Sequence, residues 1–220
     1  MSKAVLFDLD GTLVDTARGI TKAVQYALKC YGIEENDLSK LTPFIGPPLT
    51  ASFQKHYNFT EEDSKEAVIK YREYYRPIGV MECELYPDVA KCISKLRSKG
   101  YRIGVASSKP EVFCRKILDH FGVIDLFDDV VGATEDGRIS TKEEVLNEVM
   151  RRWQGVDKKD MCLIGDTIYD IEGANKVGIA SVGVSYGFGD VDMMKNAGAL
   201  CICDGMMELI PVIDGVFADR

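Results

Sequence analysis

The chain has 220 residues and a mass of 24.4 kDa, so it can bury a sizeable core as one domain or as one domain with an insertion. Its formal net charge of −8 disfavours binding along a nucleic acid backbone. Nowhere do about 18 apolar residues follow one another, and the apolar run after Lys3 is too short for a signal peptide. We therefore expect a cytoplasmic protein that binds neither nucleic acid nor membrane.

The seven cysteines are scattered and odd in number, which argues against a disulfide framework. Most lie inside apolar patterns, so we expect free thiols that pack as small core residues in a reducing compartment. Cys201 and Cys203 form a Cys-x-Cys pair, but no second pair of metal ligands lies near them in the sequence. A zinc site is therefore disfavoured there.

The first pattern along the chain is a short apolar run that ends in two carboxylates. Ala4–Phe7 shows no polar alternation, which is typical of a strand buried on both faces, and Gly11 marks a turn. Asp8 and Asp10 are two residues apart, so their side chains point to one side of an extended chain. Two carboxylates this close repel each other, and a divalent cation is the usual remedy. The alternative is a solvated acidic turn.

The next segment has a helical pattern. Apolar spacing predicts a helix over 17–31, and a capping-box-like start at Thr60 predicts a second long helix. Between them, proline and glycine predict a rigid turn over 42–49. Because no buried strand is predicted between about residues 16 and 82, we expect an all-helical insertion over 16–83.

From Leu85 onward, helices alternate with apolar strands. This alternation predicts right-handed crossovers and a parallel sheet. We therefore predict an α/β, Rossmann-like core formed by 1–15 and 84–220. After the first strand, the predicted strands are 101–106, 129–132, 161–165, 179–184 and 200–203.

Polar residues follow three of these strands, at the end of the sheet where open parallel sheets bind ligands. The pairs at these positions are Asp8 and Asp10, Ser107 and Ser108, and Asp166 and Thr167. Pro110 is predicted at the first helical position, which places free backbone N–H groups beside Ser107 as an oxyanion site. The alternative is that either serine only caps the helix.

Two charged residues fall at predicted helix starts. Lys142 lies in a first turn with capping-box spacing between Thr141 and Glu144, where its charge opposes the helix dipole. That cost favours a functional reason for Lys142, the alternative being a solvated surface lysine. Asp170 either complements the dipole of its own helix or helps to bind a metal ion.

Four segments resemble, in the same order, the four motifs of the haloacid dehalogenase superfamily, in its phosphatase branch. They are Asp8-Leu9-Asp10-Gly11-Thr12, Ala106-Ser107-Ser108-Lys109-Pro110, Lys142, and Gly165-Asp166-Thr167-Ile168-Tyr169-Asp170. Residues 186–189 and 196–199 also look like the phosphoglycolate phosphatase and 5′-nucleotidase-like subfamilies. Residues 44–49 most resemble the cap domain of the 5′-nucleotidase-like proteins, so the helical insertion is expected to be such a cap.

The resemblance implies a role for each motif residue. Asp8 is the implied nucleophile, which takes a phosphoryl group, and Asp10 is the implied acid/base. The implied catalytic residues are Asp8, Asp10, Ser107 and Lys142, and the implied substrate-binding residues are Thr12, Ser107, Ser108 and Lys142. The implied ligands of a Mg²⁺ cofactor are Asp8, the backbone carbonyl of Asp10, and Asp166, with Asp170 in the outer shell or bound through water.

We predict a Mg²⁺-dependent phosphatase that hydrolyses a small phosphorylated metabolite, similar to phosphoglycolate or a nucleoside 5′-monophosphate, through an aspartyl phosphate. The alternatives are a phosphomutase resembling the β-phosphoglucomutases and a non-catalytic phosphate-binding domain. The intact carboxylates of Asp8, Asp10 and Asp166 argue against the non-catalytic alternative, and they also disfavour dehalogenase activity. The protein is expected to be a monomer or a homodimer.

Overall fold

The computed structural model describes residues 3–218, and its core is a six-stranded sheet. The strands of the described residues are β1 (Ala4–Phe7), β2 (Val14–Asp15), β3 (Glu84–Leu85), β4 (Arg102–Pro110), β5 (Asp129–Ala133), β6 (Met161–Gly165), β7 (Ala180–Val184) and β8 (Ile202–Cys203). The two short strands β2 and β3 lie outside the six-stranded sheet. The strand order of the main sheet is β5-β4-β1-β6-β7-β8, and every neighbouring pair is parallel. The predicted α/β, Rossmann-like fold is confirmed.

Residues 3–218 also form nine α-helices. They are α1 (Ala17–Cys30), α2 (Leu49–Tyr57), α3 (Glu61–Tyr75), α4 (Val89–Ser98), α5 (Glu111–His120), α6 (Lys142–Arg152), α7 (Ile168–Val177), α8 (Val191–Asn196) and α9 (Leu209–Ala218). The chain divides into two compact units, one of Met1–Val14 with Leu85–Arg220 and the other of Asp15–Glu84. We call them the sheet unit and the helical unit.

Strand β1 lies at the centre of the sheet unit because all four of its side chains are apolar and buried. Its last residue, Phe7, is in register with Val105 on one neighbour and with Ile164 on the other. The carboxyl ends of β1, β4 and β6 therefore reach the same edge of the sheet. This alignment brings together residues that are far apart in the sequence.

The core below that edge is closely packed around Trp153, which is 1% exposed. A Cβ atom added at Gly104 would lie 2.7 Å from the Trp153 ring, so only glycine fits beside it on β4. The guanidinium of Arg102 covers the ring at 4.1 Å from its centroid. This packing fixes β4, and with it the residues at the carboxyl end of that strand.

The helical unit is held together by apolar and aromatic side chains. Helix α1 packs against α3, and the ring of Phe53 contacts both Phe44 and Phe59. Gly19 on α1 lies close to Gly79. A Cβ atom added at Gly19 would be 1.9 Å from the Gly79 carbonyl oxygen. Close backbone packing and aromatic contacts therefore stabilise this unit.

Some local predictions were wrong. Helix α2 was not predicted, because Pro47 and Pro48 suggested a turn, whereas Pro48 caps that helix. Helix α9 was not predicted either. Helix α5 begins at Glu111 rather than at Pro110, which ends β4. Cys30 is exposed rather than a core residue, and Cys83 and Cys201 are only half-buried.

Candidate active site

Asp8 and Asp10 follow β1 within a tight turn. The backbone N–H of Asp8 donates to the Ile164 carbonyl at 2.9 Å, which continues the pairing of β1 with β6. Gly11 then takes φ +78°, a conformation that side chains rarely adopt, and a Cβ atom there would lie 2.1 Å from Asp166 Oδ2. The glycine therefore allows the turn and also leaves room for Asp166.

Lys142 is the first residue of α6, and its side chain is only 4% exposed. Its Nζ atom lies 2.9 Å from Asp8 Oδ1 and 2.8 Å from Asp170 Oδ1, and it donates to the Ala106 carbonyl at 2.9 Å. Burial alone lowers the pKa of Lys142, but the two carboxylates outweigh burial and raise that pKa above its usual range. Lys142 is therefore a buried, charged group in contact with two carboxylates. The predicted capping box between Thr141 and Glu144 is confirmed.

Asp166 follows β6 and is fully buried. Its Oδ1 atom accepts a hydrogen bond from the Thr12 hydroxyl at 3.1 Å, and its Oδ2 atom accepts one from the Phe188 backbone N–H at 2.8 Å. Burial, followed by the charges of Asp170 and Asp8, raises the pKa of Asp166 well above its usual range. This carboxylate is thus held in place by neutral donors.

Asp170 lies in the first turn of α7, as the sequence predicted. Its Oδ2 atom accepts hydrogen bonds from the backbone N–H of Thr167 at 3.0 Å and from the Thr167 hydroxyl at 2.8 Å, which completes a capping box. Its other oxygen faces Lys142. Asp170 therefore joins the start of α7 to the start of α6.

The three carboxylates could hold a metal ion. One oxygen from each of Asp8, Asp166 and Asp170 lies within 4.8 Å of the others, and all three residues are buried. Burial is the largest cause that raises the pKa of Asp8, to about 6, and the charges of Asp170 and Asp10 add to it. With Asp10, the site contains four carboxyl groups and two ammonium groups, those of Lys109 and Lys142, so two formal negative charges remain uncompensated. A divalent cation with oxygen ligands fits this imbalance.

Ser107 is buried at the end of β4, beside the aspartates. Its hydroxyl accepts a hydrogen bond from the Lys109 backbone N–H at 3.3 Å. Burial raises the pKa of Asp8, and the neighbouring Ser107 hydroxyl has a smaller influence that lowers it. Ser107 therefore lies on the nucleophile candidate rather than at the first turn of α5. Ser108 is half-buried.

Lys109 is the residue that the sequence analysis did not select. Its Nζ atom donates to both oxygens of Asp10, each at 2.8 Å, and its side chain is 5% exposed. The sequence feature that could have indicated it is its position, directly after the predicted site residues Ser107 and Ser108 and before Pro110. Nothing in that pattern indicates which of the four aspartates the lysine contacts.

Known proteins are similar to this chain in sequence and in fold. The family model described as haloacid dehalogenase-like hydrolase matches residues 5–184. The chain is 38% identical over 210 residues to a 5′-nucleotidase of Pseudomonas aeruginosa, covering 96% of this chain and 95% of that protein. It is 43% identical to the solved structure of a predicted phosphatase from Clostridium acetobutylicum, with a TM-score of 0.93, covering 98% of this chain and 100% of that one.

Two further relatives carry different names. The tyrosine-protein kinase PtkA of Mycobacterium tuberculosis is 34% identical over 194 residues, covering 87% of this chain and 65% of that protein. A phosphoglycolate phosphatase of Aquifex aeolicus is 30% identical over 188 residues, covering 84% of this chain and 86% of that protein. Within residues 3–218, no helix has both the length and the apolar character needed to cross a bilayer.

Proposed function

Because the chain belongs to the haloacid dehalogenase-like hydrolases, as its four motif segments suggested, we propose that it hydrolyses phosphate monoesters with Mg²⁺ and through an aspartyl phosphate on Asp8. Its family and its phosphatase-named relatives make it a phosphoric monoester hydrolase that acts on small phosphate substrates. The observation that carries the proposed mechanism is the buried contact of Lys142 with both Asp8 and Asp170. The names of the relatives support a substrate similar to a nucleoside 5′-monophosphate or to phosphoglycolate.

In the first half-reaction, a carboxylate oxygen of Asp8 attacks phosphorus while the bond from phosphorus to the leaving oxygen breaks. Asp10 gives a proton to that leaving oxygen. The contact between Lys142 and Asp8 supports this assignment, since a fixed positive charge stabilises the carboxylate before attack and the phosphoryl oxygens afterwards.

In the second half-reaction, Asp10 takes a proton from water, and the water oxygen attacks phosphorus. The bond between phosphorus and Asp8 breaks, which releases inorganic phosphate and restores the carboxylate. We propose that Ser107 donates a hydrogen bond to the phosphoryl group and that Thr12 and Ser108 help to bind it. The contact of the Thr12 hydroxyl with Asp166 supports an indirect part for Thr12 in that binding.

Mg²⁺, when bound, would neutralise charge on the phosphoryl oxygens. We propose Asp8, the backbone carbonyl of Asp10, and Asp166 as its ligands. Asp166 contacts only neutral donors, whereas one oxygen of Asp170 contacts the charged Lys142, so Asp170 is proposed to act from the outer shell. We also propose that the helical insertion over 16–83 is a cap that selects small substrates.

The proposal is tested by trapping the covalent intermediate. Wild-type protein, Asp8→Asn and Asp10→Asn are mixed with an aryl phosphate and Mg²⁺, quenched in acid and measured by intact mass. An aryl oxide leaves with little protonation, so Asp10→Asn should still form the adduct. Its hydrolysis of the adduct should be slower than that of the wild type by a factor of about 10² to 10⁴. Asp8→Asn should form none. An adduct on Asp8→Asn but not on Asp10→Asn would reverse the two roles.

Measuring released inorganic phosphate, together with the adduct, separates the alternatives. A phosphomutase would move the phosphoryl group between hydroxyls of a sugar phosphate without releasing inorganic phosphate. A non-catalytic phosphate-binding domain would form no adduct in any variant. Release of inorganic phosphate by the wild type, with an adduct on Asp8, is the result expected for the proposed phosphatase.

A further inference from the structure

Lys109 and Lys142 divide the carboxylates of the site between them. Lys142 contacts Asp8 and Asp170, two of the three carboxylates that could hold a metal ion. Lys109 holds the fourth carboxylate, Asp10, through two hydrogen bonds of equal length. Within residues 3–218, these two lysines are the buried cations. Burying an ammonium group is costly, so a second buried lysine committed to one carboxylate requires a reason.

The backbone of β4 is shaped to deliver this lysine. From Ser107 to Pro110, β4 advances three residues while its neighbour β5 advances one, from Gly132 to Ala133. The two extra residues form a β-bulge, a feature that commonly re-aims a side chain beside an active site.

The bulge is fixed by contacts of its own. The Lys109 N–H donates to the Ser107 hydroxyl at 3.3 Å, and the Cys114 thiol donates to the Lys109 carbonyl at 3.6 Å. A Cβ atom added at Gly132 would lie 2.6 Å from the same carbonyl and 2.5 Å from the Glu111 backbone nitrogen. The bulge therefore depends on a glycine on the neighbouring strand, and the position of Lys109 is set by the fold.

We propose that Lys109 is a positioning residue that holds the Asp10 carboxylate in the orientation required for both proton transfers. This inference rests on the proposed function, in which Asp10 is the acid/base. When Asp10 gives its proton to the leaving oxygen, Lys109 holds the carboxylate that results. When water attacks the aspartyl phosphate, Asp10 accepts a proton from that water, and Lys109 keeps its own proton throughout.

A lysine beside Asp10 can have one of two roles. A lysine that binds the phosphoryl group directly acts whether or not Asp10 is present. A lysine that acts through Asp10 has no effect once Asp10 cannot exchange a proton. A double-mutant cycle with Asp10→Asn therefore distinguishes the two roles.

The measured quantity is the rate at which the aspartyl phosphate on Asp8 disappears, followed by intact mass after acid quench. The variants are Lys109→Met, Asp10→Asn and the double variant, with Lys91→Met as the control for loss of a lysine. Lys91 lies on α4 with its side chain 61% exposed. Lys109→Met should slow the decay by about 10- to 100-fold, less than the loss of Asp10 itself. Lys91→Met should match the wild type.

In the Asp10→Asn background, Lys109→Met should change the decay rate by less than about threefold. Formation of the adduct from an aryl phosphate should stay within about threefold of the wild type, because that step needs little protonation of the leaving group. Lys109→Gln keeps hydrogen-bond donors for Asp10, so it should slow the decay less than Lys109→Met does. Lys109→Leu replaces Lys109→Met in the cycle if the methionine variant does not fold.

A slowing of the same size in both backgrounds would overturn the inference, since Lys109 would then act independently of Asp10. Unchanged decay in Lys109→Met, or in the variant that takes its place, would also overturn it. If the wild type forms no adduct on Asp8, the proposed function itself fails. A wild type that forms the adduct, combined with additive effects of the two substitutions, rejects only the role of Lys109.

Discussion

The sheet unit and the helical unit differ in what they bury. In the part of the chain that the structure describes, every buried charged side chain belongs to the sheet unit: Asp8, Lys109, Lys142, Asp166 and Asp170. The buried polar residues of the helical unit are small hydroxyl residues: Thr16, Thr21, Ser52 and Ser64. Burying a charge is costly unless it is paired, so a fold retains such groups where they serve a purpose.

The difference indicates where substitutions should affect chemistry and where they should affect other properties. In the sheet unit, the buried charges converge on one edge of the sheet, and small displacements there should alter turnover. In the helical unit, aromatic and apolar packing dominates, and the charges lie on or near the surface. We expect its surface cations to influence which substrate is accepted, with little effect on the chemical step.

The largest effect should follow from loss of Asp166. Asp166→Asn removes a proposed metal ligand, and we expect turnover of an aryl phosphate to fall by about 10³-fold or more. Excess chelator should lower the turnover of the wild type in the same way, and added Mg²⁺ should restore that turnover. Ca²⁺ should suppress activity because it accepts more ligands and bidentate carboxylates. The control is Asp157→Asn, whose side chain is 54% exposed. Full activity in chelator would refute the metal assignment.

A smaller loss should follow from Gly187→Ala, which tests how Asp166 is held. A Cβ atom at Gly187 would lie 2.3 Å from Asp166 Cβ, so either the loop or the carboxylate must move. We expect apparent Mg²⁺ affinity to fall by about 10- to 100-fold, as for other residues that orient a ligand. Gly215→Ala is the control, since nothing lies within 4 Å of its added Cβ atom. Unchanged Mg²⁺ titrations of phosphate release would contradict the role of this loop.

The helical unit is tested by Arg72→Met on α3. We expect the KM for small anionic phosphate esters to rise by about three- to tenfold, with kcat for an aryl phosphate within about twofold. The reason is that the half-buried Arg72 cation, acting away from the reacting atoms, would bind substrate and transition state equally. Lys65→Met, at a side chain 65% exposed on the same helix, is the control. Equal losses of kcat and kcat/KM would place Arg72 in the chemistry and remove the contrast between the units.

The smallest effect concerns Glu148, a carboxylate of the sheet unit whose side chain is 14% exposed. Hydrogen bonds from Arg151 and then Arg152 lower the pKa of Glu148 to about 2, from a usual 4.5. Because its pKa is lower in the folded state, the ionised Glu148 carboxylate stabilises the fold above about pH 4.5. This contribution to the free energy of unfolding is lost as the pH falls towards about 2. Glu148→Gln should therefore lower the free energy of unfolding at pH 6 by less than about 1 kcal/mol and by still less at pH 3.

Urea unfolding at the two pH values measures this difference, with the exposed Glu172→Gln as the control. A difference between wild type and Glu148→Gln that grows towards pH 3 would contradict the assigned ion pairs. Turnover at pH 7 should be unchanged in both variants, because neither side chain reaches the buried charges.

The sequence by itself determined much of the sheet unit. The uniform apolar run of Ala4–Phe7 predicted a doubly buried strand, and the strand-and-turn pattern placed Asp8 and Asp166 at strand ends. The capping box that begins at Thr141 was also readable from local spacing. These predictions succeeded because hydrophobic periodicity, turn residues and helix caps act over a few neighbouring residues.

Local signals that conflict were harder to interpret. Pro48 was taken as part of a turn, although it caps α2, and Pro110 was taken as the start of α5, although it ends β4. A proline fixes its own φ angle and suits a strand end or a helix start equally well. The neighbouring strand decided the conformation at Pro110, because the bulge opposite Gly132 keeps the chain extended through that residue.

Only the tertiary structure decided which charged groups meet. Lys109 and Asp10 are 99 residues apart, and the Phe188 N–H that holds Asp166 lies 22 residues away from it. Those contacts depend on β4 and β6 flanking β1, on the bulge in β4 and on close approach at Gly11 and Gly187. Strand order and close packing are long-range properties of the whole chain, so no local spacing could assign Lys109 to Asp10 and Lys142 to Asp8.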